Sequence, residues 1–497
     1  MKIDIGAPYQ TRIQQALADT DVRAAVEKAT GRLAERREQA VGAIDNERMR
    51  VHARAAREEA IRNLPSLLEQ LEHTLTENGS VVHWARNAAE ANRIVLDIAQ
   101  ERGVESAVKS KSMATEEIHL NKALEASGID VVETDLGEYI IQLADEPPSH
   151  LVAPVIHNLV QDISDLFQQR LGMEPSLDAA VMCDTARAVL RQRFLTADMG
   201  ISGCNFAIAE TGTICLITNE GNGRMVTSFP PIHVVIAGIE KIVATPEDAL
   251  LLWQAASRNA TGQDVSVYFS MSSGPRRSGH PDGPEEMHVV LVDNGRTSVL
   301  ESGYGDALLC IRCGACQDVC PVYREIGGHA YGRTPYSGPI GSVLTPLMAD
   351  DVGAARDLPF ASSLCGSCRD ACPVKIDLPR LLLELRSEIT DLGSTTIAEE
   401  VAVRGLTLPM LSPWRYHWAT WAWRQFARLF GAVSGHLSWL PPPFNVWTRT
   451  RVFPRPPAKT FRDLWKSRLQ ENNYRIHTDE LTREPNPSDM SSPEEET

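Results

Sequence analysis

Along the first sixty residues the apolar positions recur at helical spacing. Ile13, Leu17, Val22 and Val26 share one stripe, and Leu33, Val41 and Ile44 continue it more loosely. Residues 8–62 are therefore predicted to be helices that cover a neighbour or a partner. From about residue 64 to 300 short apolar runs take over. Residues 81–84, 106–108 and 130–133 are strand candidates, helical periods lie at 89–101 and 113–126, and 139–143 continues the series. Later come the run 206–218, broken at Thr211-Gly212, then 233–237 with 242–243, and 288–293 as a closing strand. Glu220-Gly221-Asn222-Gly223 is a turn signal. Such a β-α-β rhythm predicts a parallel sheet covered by helices.

The pattern changes again after residue 300. Between 300 and 392 cysteine, glycine and proline dominate, with helical periods after each cysteine run. Residues 403–475 hold twelve Lys and Arg against two acids, and seven of the nine tryptophans. Residues 476–497 carry seven acids and one arginine among Pro and Ser, the composition of a disordered tail. The expected divisions are 1–63 (helical), 64–299 (α/β), 300–392 (cysteine-rich and helical), 393–475 (basic, Trp-rich) and 476–497 (acidic tail).

A hydrophobic share of 43% suits a chain with sizeable cores, and a net charge of −16 argues against nucleic acid as a partner. The first ten residues lack the pattern of an export signal, and no run reaches the ~18 apolar residues that a membrane span needs. The expected location is cytoplasmic, with a peripheral place at the inner face of the membrane as the second reading.

Seven of the ten cysteines lie between 310 and 372, which points to metal ligation rather than disulfides. Cys183, Cys204 and Cys215 stand at no ligand spacing and are expected to be buried small hydrophobes. The first run, Cys310-x2-Cys313-x2-Cys316-x3-Cys320-Pro321, has the spacing of bacterial four-iron ferredoxins, in which three thiolates wrap one cubane and the fourth cysteine serves the other. Zinc needs four ligands and normally shows two separated pairs, which this run does not. The second run, Cys365-x2-Cys368-x3-Cys372-Pro373, matches the last three positions of the same pattern, and its missing first position falls on Ser362. Crossed ligation assigns Cys310, Cys313, Cys316 and Cys372 to cluster 1 and Cys320, Cys365 and Cys368 to cluster 2. Cluster 2 is then one thiolate short: a three-iron cluster, or a four-iron cluster with a non-cysteine ligand. The 44 residues between Cys320 and Cys365 include helical stretches, so an α-helical ferredoxin domain is expected.

The two cysteine runs resemble those of the iron–sulfur subunits of succinate dehydrogenase, glycolate oxidase and heterodisulfide reductase. Three upstream segments narrow this: the run from Lys109 to Ile118, GEYIIQLADEPPSHLVAPVIH at 137–157, and NFAIAETGTICLITNEGNGR at 205–224. Followed by CIRCGACQDVCPVYREIGGHAYG, they resemble the lactate-utilization iron–sulfur protein B family over roughly residues 10–475. The resemblance implies two clusters, both 4Fe-4S, on the seven cysteines. It also implies an electron-transfer role in oxidation of L-lactate to pyruvate with two sister subunits. Another 2-hydroxy acid such as glycolate is the alternative substrate, and a non-catalytic assembly scaffold is the rival from another class. The aromatic stretch near the C-terminus is the part that the resemblance does not account for.

The α/β domain of that family looks like the fold of CoA transferases and sugar-phosphate isomerases, in which a Glu near a strand end and a Gly-rich turn line the site. Glu210 and Arg224 are the substrate candidates on that basis, with Lys109 and Lys111 as further cations for a carboxylate; no acid–base residue stands out. His157 and His233, beside apolar strands, read as core histidines. No strand is followed by G-x-G-x-x-G, and no Walker motif is present, so nothing supports a bound nucleotide or flavin. Trp414, Trp418 and Trp421 share a helical face within 412–447 and predict a protein interface more than a membrane surface.

Overall fold

The computed structural model describes residues 6–350, 352–391, 397–430, 436–440, 445, 448, 451–454, 456–457 and 459–471. The chain divides into two compact units, 1–394 and 395–497. The predicted acidic tail, 476–497, lies outside the described residues.

Four helices open the first unit: α1 (Tyr9–Ala18), α2 (Thr20–Gly42), α3 (Asn46–Arg62) and α4 (Leu64–Glu77). Asp19 and Asp45 start α2 and α3 by accepting hydrogen bonds from the backbone N–H groups of Val22 and Arg48. After α4 come the strands β1 (Val81–Ala85), β2 (Ser106–Lys109), β3 (Asp130–Glu133), β4 (Met199–Ser202), β5 (Phe206–Ile208), β6 (Thr213–Thr218), β7 (Ile232–Gly238), β8 (Ile242–Val243), β9 (Tyr268–Ser272) and β10 (Glu286–Val292). Six of them form one sheet in the order β1-β10-β7-β4-β2-β3, and every pairing is parallel. Its central strand β7 is buried at all seven positions, as continuous apolar strands covered on both faces must be. A second sheet, β8-β5-β6-β9, joins its β5–β6 hairpin to β8 in parallel and to β9 antiparallel.

Two differences from the sequence reading have physical reasons. Residues 139–143 belong to a helix, Leu136–Ala144, rather than a strand. Asp135 accepts hydrogen bonds from Gly137 N and Glu138 N and nucleates that helix, an outcome that a five-residue apolar run cannot reveal. Cys183 is exposed instead of buried. Its helix, Ala179–Thr196, buries Met182, Ala186, Leu190 and Phe194, a face that Cys183 misses by about 100°.

The cysteine-rich segment is built of short helices and belongs to the same compact unit as the sheets. One core joins Ile340, Val343, Leu381 and Leu385 of that segment to Phe206, Val243 and Leu252 of the α/β part and to Met49 and Ala53 of α3. A ladder of arginines on α2 and α3 reinforces this packing. Arg37 donates to Ala371 O, Arg50 to Cys372 O and Arg369 O, and Arg54 to Lys375 O. Arg57, fully buried, donates to the carbonyls of Leu308, Leu309, Glu240 and Ile242.

The second unit, taken by itself, contains helices Ile397–Thr407, Pro413–Phe430 and Phe461–Glu471 and a short antiparallel pair, His436–Leu437 with Phe453–Pro454. Trp414, Trp418 and Trp421 stack edge to face along the second of these helices and are exposed.

Candidate functional site

The two cysteine runs fold alike, position for position. Arg312 and Leu364, each just before a cysteine, both take left-handed backbone at φ 59° and 56°. Gly314 and Gly366, each just after that cysteine, follow at φ 78° and 90°, where a side chain would be strained. Helices Ala315–Asp318 and Ser367–Ala371 start next, and each run ends in Cys-Pro. The likeness extends to the position where the cysteines differ. Arg312 N donates to Cys310 Sγ at 3.4 Å, and Leu364 N donates to Ser362 Oγ at 3.1 Å.

The thiols gather in two groups. Cys310, Cys313, Cys316 and Cys372 line one small void, walled by Leu151, Ile340, Val374 and Ile376, without converging as ligands of a single ion. Cys320, Cys365 and Cys368 make up the other: Cys320 and Cys368 both feel the charge of Cys365, and Cys316 of the first group also feels Cys368, so the two groups adjoin. Burial raises the thiols of Cys313, Cys316, Cys320, Cys368 and Cys372, and neighbouring thiols add to the effect; Cys372 reaches about 11 and Cys368 about 12. Such sulfurs stay protonated unless a metal supplies the compensating charge. Backbone N–H groups already point at two more of them: Tyr323 N at Cys320 Sγ, 3.5 Å, and Ile376 N at Cys372 Sγ, 3.3 Å. Cys365 alone is lowered, by hydrogen bonding with the Ser367 hydroxyl 3.4 Å away.

Beside the first group lies a cavity of about 630 Å³, to whose wall Cys313 also belongs. It opens at the carboxyl ends of the parallel strands, where ligands of open α/β sheets bind. Ser110, Lys111 and Ser112 follow β2, Asp135 follows β3, Gly203, Cys204 and Asn205 follow β4, Gly238 ends β7 and Lys241 follows it, and Arg296 follows β10. Arg312 and Tyr336 complete the wall on the cysteine-rich side, with the guanidinium 4.8 Å from the ring centre.

Buried charges organise that wall. Arg296 donates to Glu117 Oε1 and Oε2 at 2.8 and 3.0 Å and also to Glu240, and Tyr336 donates to Glu117 Oε2 at 2.8 Å. Arg312 reaches Glu240 Oε1 at 3.4 Å. Burial opposes ionisation of Glu240, yet Arg296, Lys241 and Arg312 hold it down at about 2. Burial, then Arg312, lowers Lys241 to about 8.

The residues singled out in the sequence are dispersed. Glu210 and Arg224 are both exposed and neither lines the cavity; Arg224 stacks 3.8 Å over the Tyr268 ring. Lys109 is buried in ion pairs with Glu133 (2.6 Å) and Glu116 (3.1 Å). Lys111 does face the cavity, as do Glu220 and Asn222 of the glycine-rich turn. His233 is a core residue 2.8 Å from Ser202 Oγ, and burial lowers it to about 4; His157 pairs with Glu146 at 2.8 Å. Cys204 partly lines the cavity, and Cys215 is buried. Sequence reasoning missed Lys241 and Arg312, and the signal that would have found them is position: one follows a strand end, the other sits between two ligand-spaced cysteines.

A parallel α/β domain packed against paired ferredoxin-like cysteine turns defines the class: an iron–sulfur protein with two cluster motifs. Family models agree, with the LUD domain matching residues 68–292, the 4Fe-4S dicluster domain 306–376, and the lactate utilisation protein B C-terminal domain 391–470. The last of these spans the aromatic stretch, the part that the resemblance of the cysteine runs did not account for. Lactate utilization protein B of Geobacillus thermodenitrificans is 44% identical over 95% of this chain and 99% of its own length, and that of Bacillus licheniformis is 43% identical over the same shares. The chain belongs to the lactate utilization protein B family. A solved DUF162 family protein from Deinococcus radiodurans aligns with 46% of this chain and 98% of its own at 18% identity, with a TM-score of 0.26, too low to add to the assignment.

Proposed function

We propose that this chain is the electron-transferring iron–sulfur subunit of a system that oxidises L-lactate to pyruvate. The observation that carries the reading is the placing of seven cysteines on two like-folded turns, four of them lining one void beside the wall of a ligand-sized cavity. Iron–sulfur clusters, when bound, supply reversible one-electron transfer. The chain's own part is to hold them. Cys310, Cys313, Cys316 and Cys372 would ligate the first, and Cys320, Cys365 and Cys368 the second, both of the 4Fe-4S type. The backbone N–H groups of Arg312, Tyr323 and Ile376 would donate to ligating sulfurs, one of the means by which a protein tunes cluster potential. The names of the relatives supply lactate as the substrate, and glycolate, another 2-hydroxy acid, is the alternative. No helix among the described residues is long and apolar enough to cross a membrane. The reading places the chain in the cytoplasm, bound to sister subunits through the exposed Trp414, Trp418 and Trp421. An anaerobic redox titration of the purified chain tests the assignment. Both clusters should reduce and reoxidise reversibly, at potentials between those of the lactate–pyruvate couple and the respiratory acceptors. Clusters inert across that range would leave only a scaffold.

Ser362 is the fourth corner of the second cluster on this reading, because it occupies the place and accepts the hydrogen bond that Cys310 does in the first run. Ser362→Cys should raise the iron retained through dialysis against a chelator and remove any EPR signal of an oxidised three-iron centre. Unchanged retention and an unchanged spectrum would take Ser362 out of the ligand sphere.

A further inference from the structure

The cavity at the strand ends has a wall that the protein itself does not satisfy. Arg312 is only 6% exposed at its side chain, yet its Nε and NH1 have no hydrogen-bond partner. Lys111 Nζ likewise has none, its nearest carboxylate being Glu138 Oε1 at 3.6 Å. Around the cluster-facing end, the cations Arg296, Arg312 and Lys241 share the two carboxylates of Glu117 and Glu240. With buried Arg57 also facing Glu240, positive charge is left over where bulk water is largely withdrawn, and beyond the Cys310 sulfur, which Arg312 and Lys241 both feel, the cavity is the side from which a further acceptor can come. A guanidinium with free N–H groups beside an ammonium recognises a carboxylate by charge-assisted hydrogen bonds. The volume, about 630 Å³, lies within the range of small-molecule sites, and Leu151, Val152, Leu216 and Ile217 supply an apolar remainder.

We propose that this cavity binds an organic carboxylate of the 2-hydroxy or 2-oxo acid class, held by Arg312 and Lys241 beside the cluster that Cys313 would ligate. The class of acid rests on the lactate reading above; the anion site rests on the unpartnered N–H groups of Arg312 and on Lys241 in the same wall. Glu210 and Arg224 have no part in it. The competing role for the same cations is to offset the negative charge of the cluster alone.

The test is calorimetric titration of the cluster-loaded chain, kept anaerobic, with L-lactate, pyruvate and glycolate, and with acetate and inorganic phosphate as controls. EPR spectra of the reduced protein are recorded on the same samples. L-lactate or pyruvate should bind saturably and perturb one cluster signal. Lys241→Met should weaken that binding about ten-fold or more, with iron content and the ligand-free spectrum unchanged, and Lys241→Arg should restore most of it. Should Lys241→Met lose iron, Lys111→Met decides by the same criteria. Binding that neither substitution weakens would put the site elsewhere. Equal binding of acetate and phosphate would remove the acid class. No binding by a protein whose clusters still cycle reversibly would overturn the site while leaving the electron-transfer reading intact; failure of the clusters to cycle would instead count against that reading.

Discussion

Replacing Cys372 by Ser is expected to strip or convert the cluster held by Cys310, Cys313 and Cys316, although Cys372 stands in the other cysteine run. The four sulfurs line one void that neither Cys365 nor Cys368 lines, while Cys368 feels the charges of Cys320 and Cys365. The geometry follows from the chain itself. Each run's short helix carries its last cysteine away from the turn that holds the preceding ones, and a proline then closes the exit. Iron analysis should fall by the content of about one cluster, and Mössbauer or EPR spectra should lose the signals of one centre while retaining the other's. Cys365→Ser should produce the complementary loss. If the two variants lost the same centre, the crossed assignment would be wrong.

Arg296→Met should destabilise the first unit by about 3–5 kcal/mol, because it leaves Glu117 and Glu240 ionised and buried without their principal partner. Burial is what makes the number large. An exposed pair such as Arg404 with Glu400, at 2.6 Å, is worth only about 0.3–0.5 kcal/mol on a helix. Tyr336 and Asn294 also donate to Glu117, at 2.8 and 2.7 Å, so the loss should spread to the cavity wall. Anaerobic urea denaturation of variant and parent measures the difference, and Arg404→Met is the control. A change below about 1 kcal/mol in Arg296→Met would mean that the carboxylates take up protons at little cost.

What the sequence disclosed depended on whether the signal was local. Strands β2, β7 and β10 announced themselves because a parallel strand covered on both faces is a run of apolar residues, and the edge strands β1 and β3 carry short apolar runs as well, β1 with Val81 and Trp84 exposed. Strands β4 and β9 did not. Met199-Gly-Ile-Ser202 is short and holds a glycine, and Tyr268–Ser272 is half polar; both are strands because neighbours pair with them. The cysteine groups were legible from spacing alone, since a cubane constrains how far apart its ligands stand along the chain. The cavity was not. A lysine three residues past a strand, such as Lys241, looks solvated until the cysteine-rich segment, some seventy residues later, is laid over it.

The arginine ladder has a consequence for how the molecule comes into being. Arg37, Arg50 and Arg54 find their acceptors at Ala371, Arg369, Cys372 and Lys375, more than three hundred positions downstream. The first helices to leave the ribosome therefore cannot complete their contacts until the last cysteine has been synthesised. Contacts so distant along the chain form late and slowly. During that interval α2 and α3 have only their partners in the α/β part, such as Asn259 for Arg37 and Ile242 for Arg57, and the faces awaiting the cysteine-rich segment call for protection from association. Delivery of iron and sulfide, which needs the cysteines accessible, has the same interval in which to occur before the N-terminal helices close over the second turn.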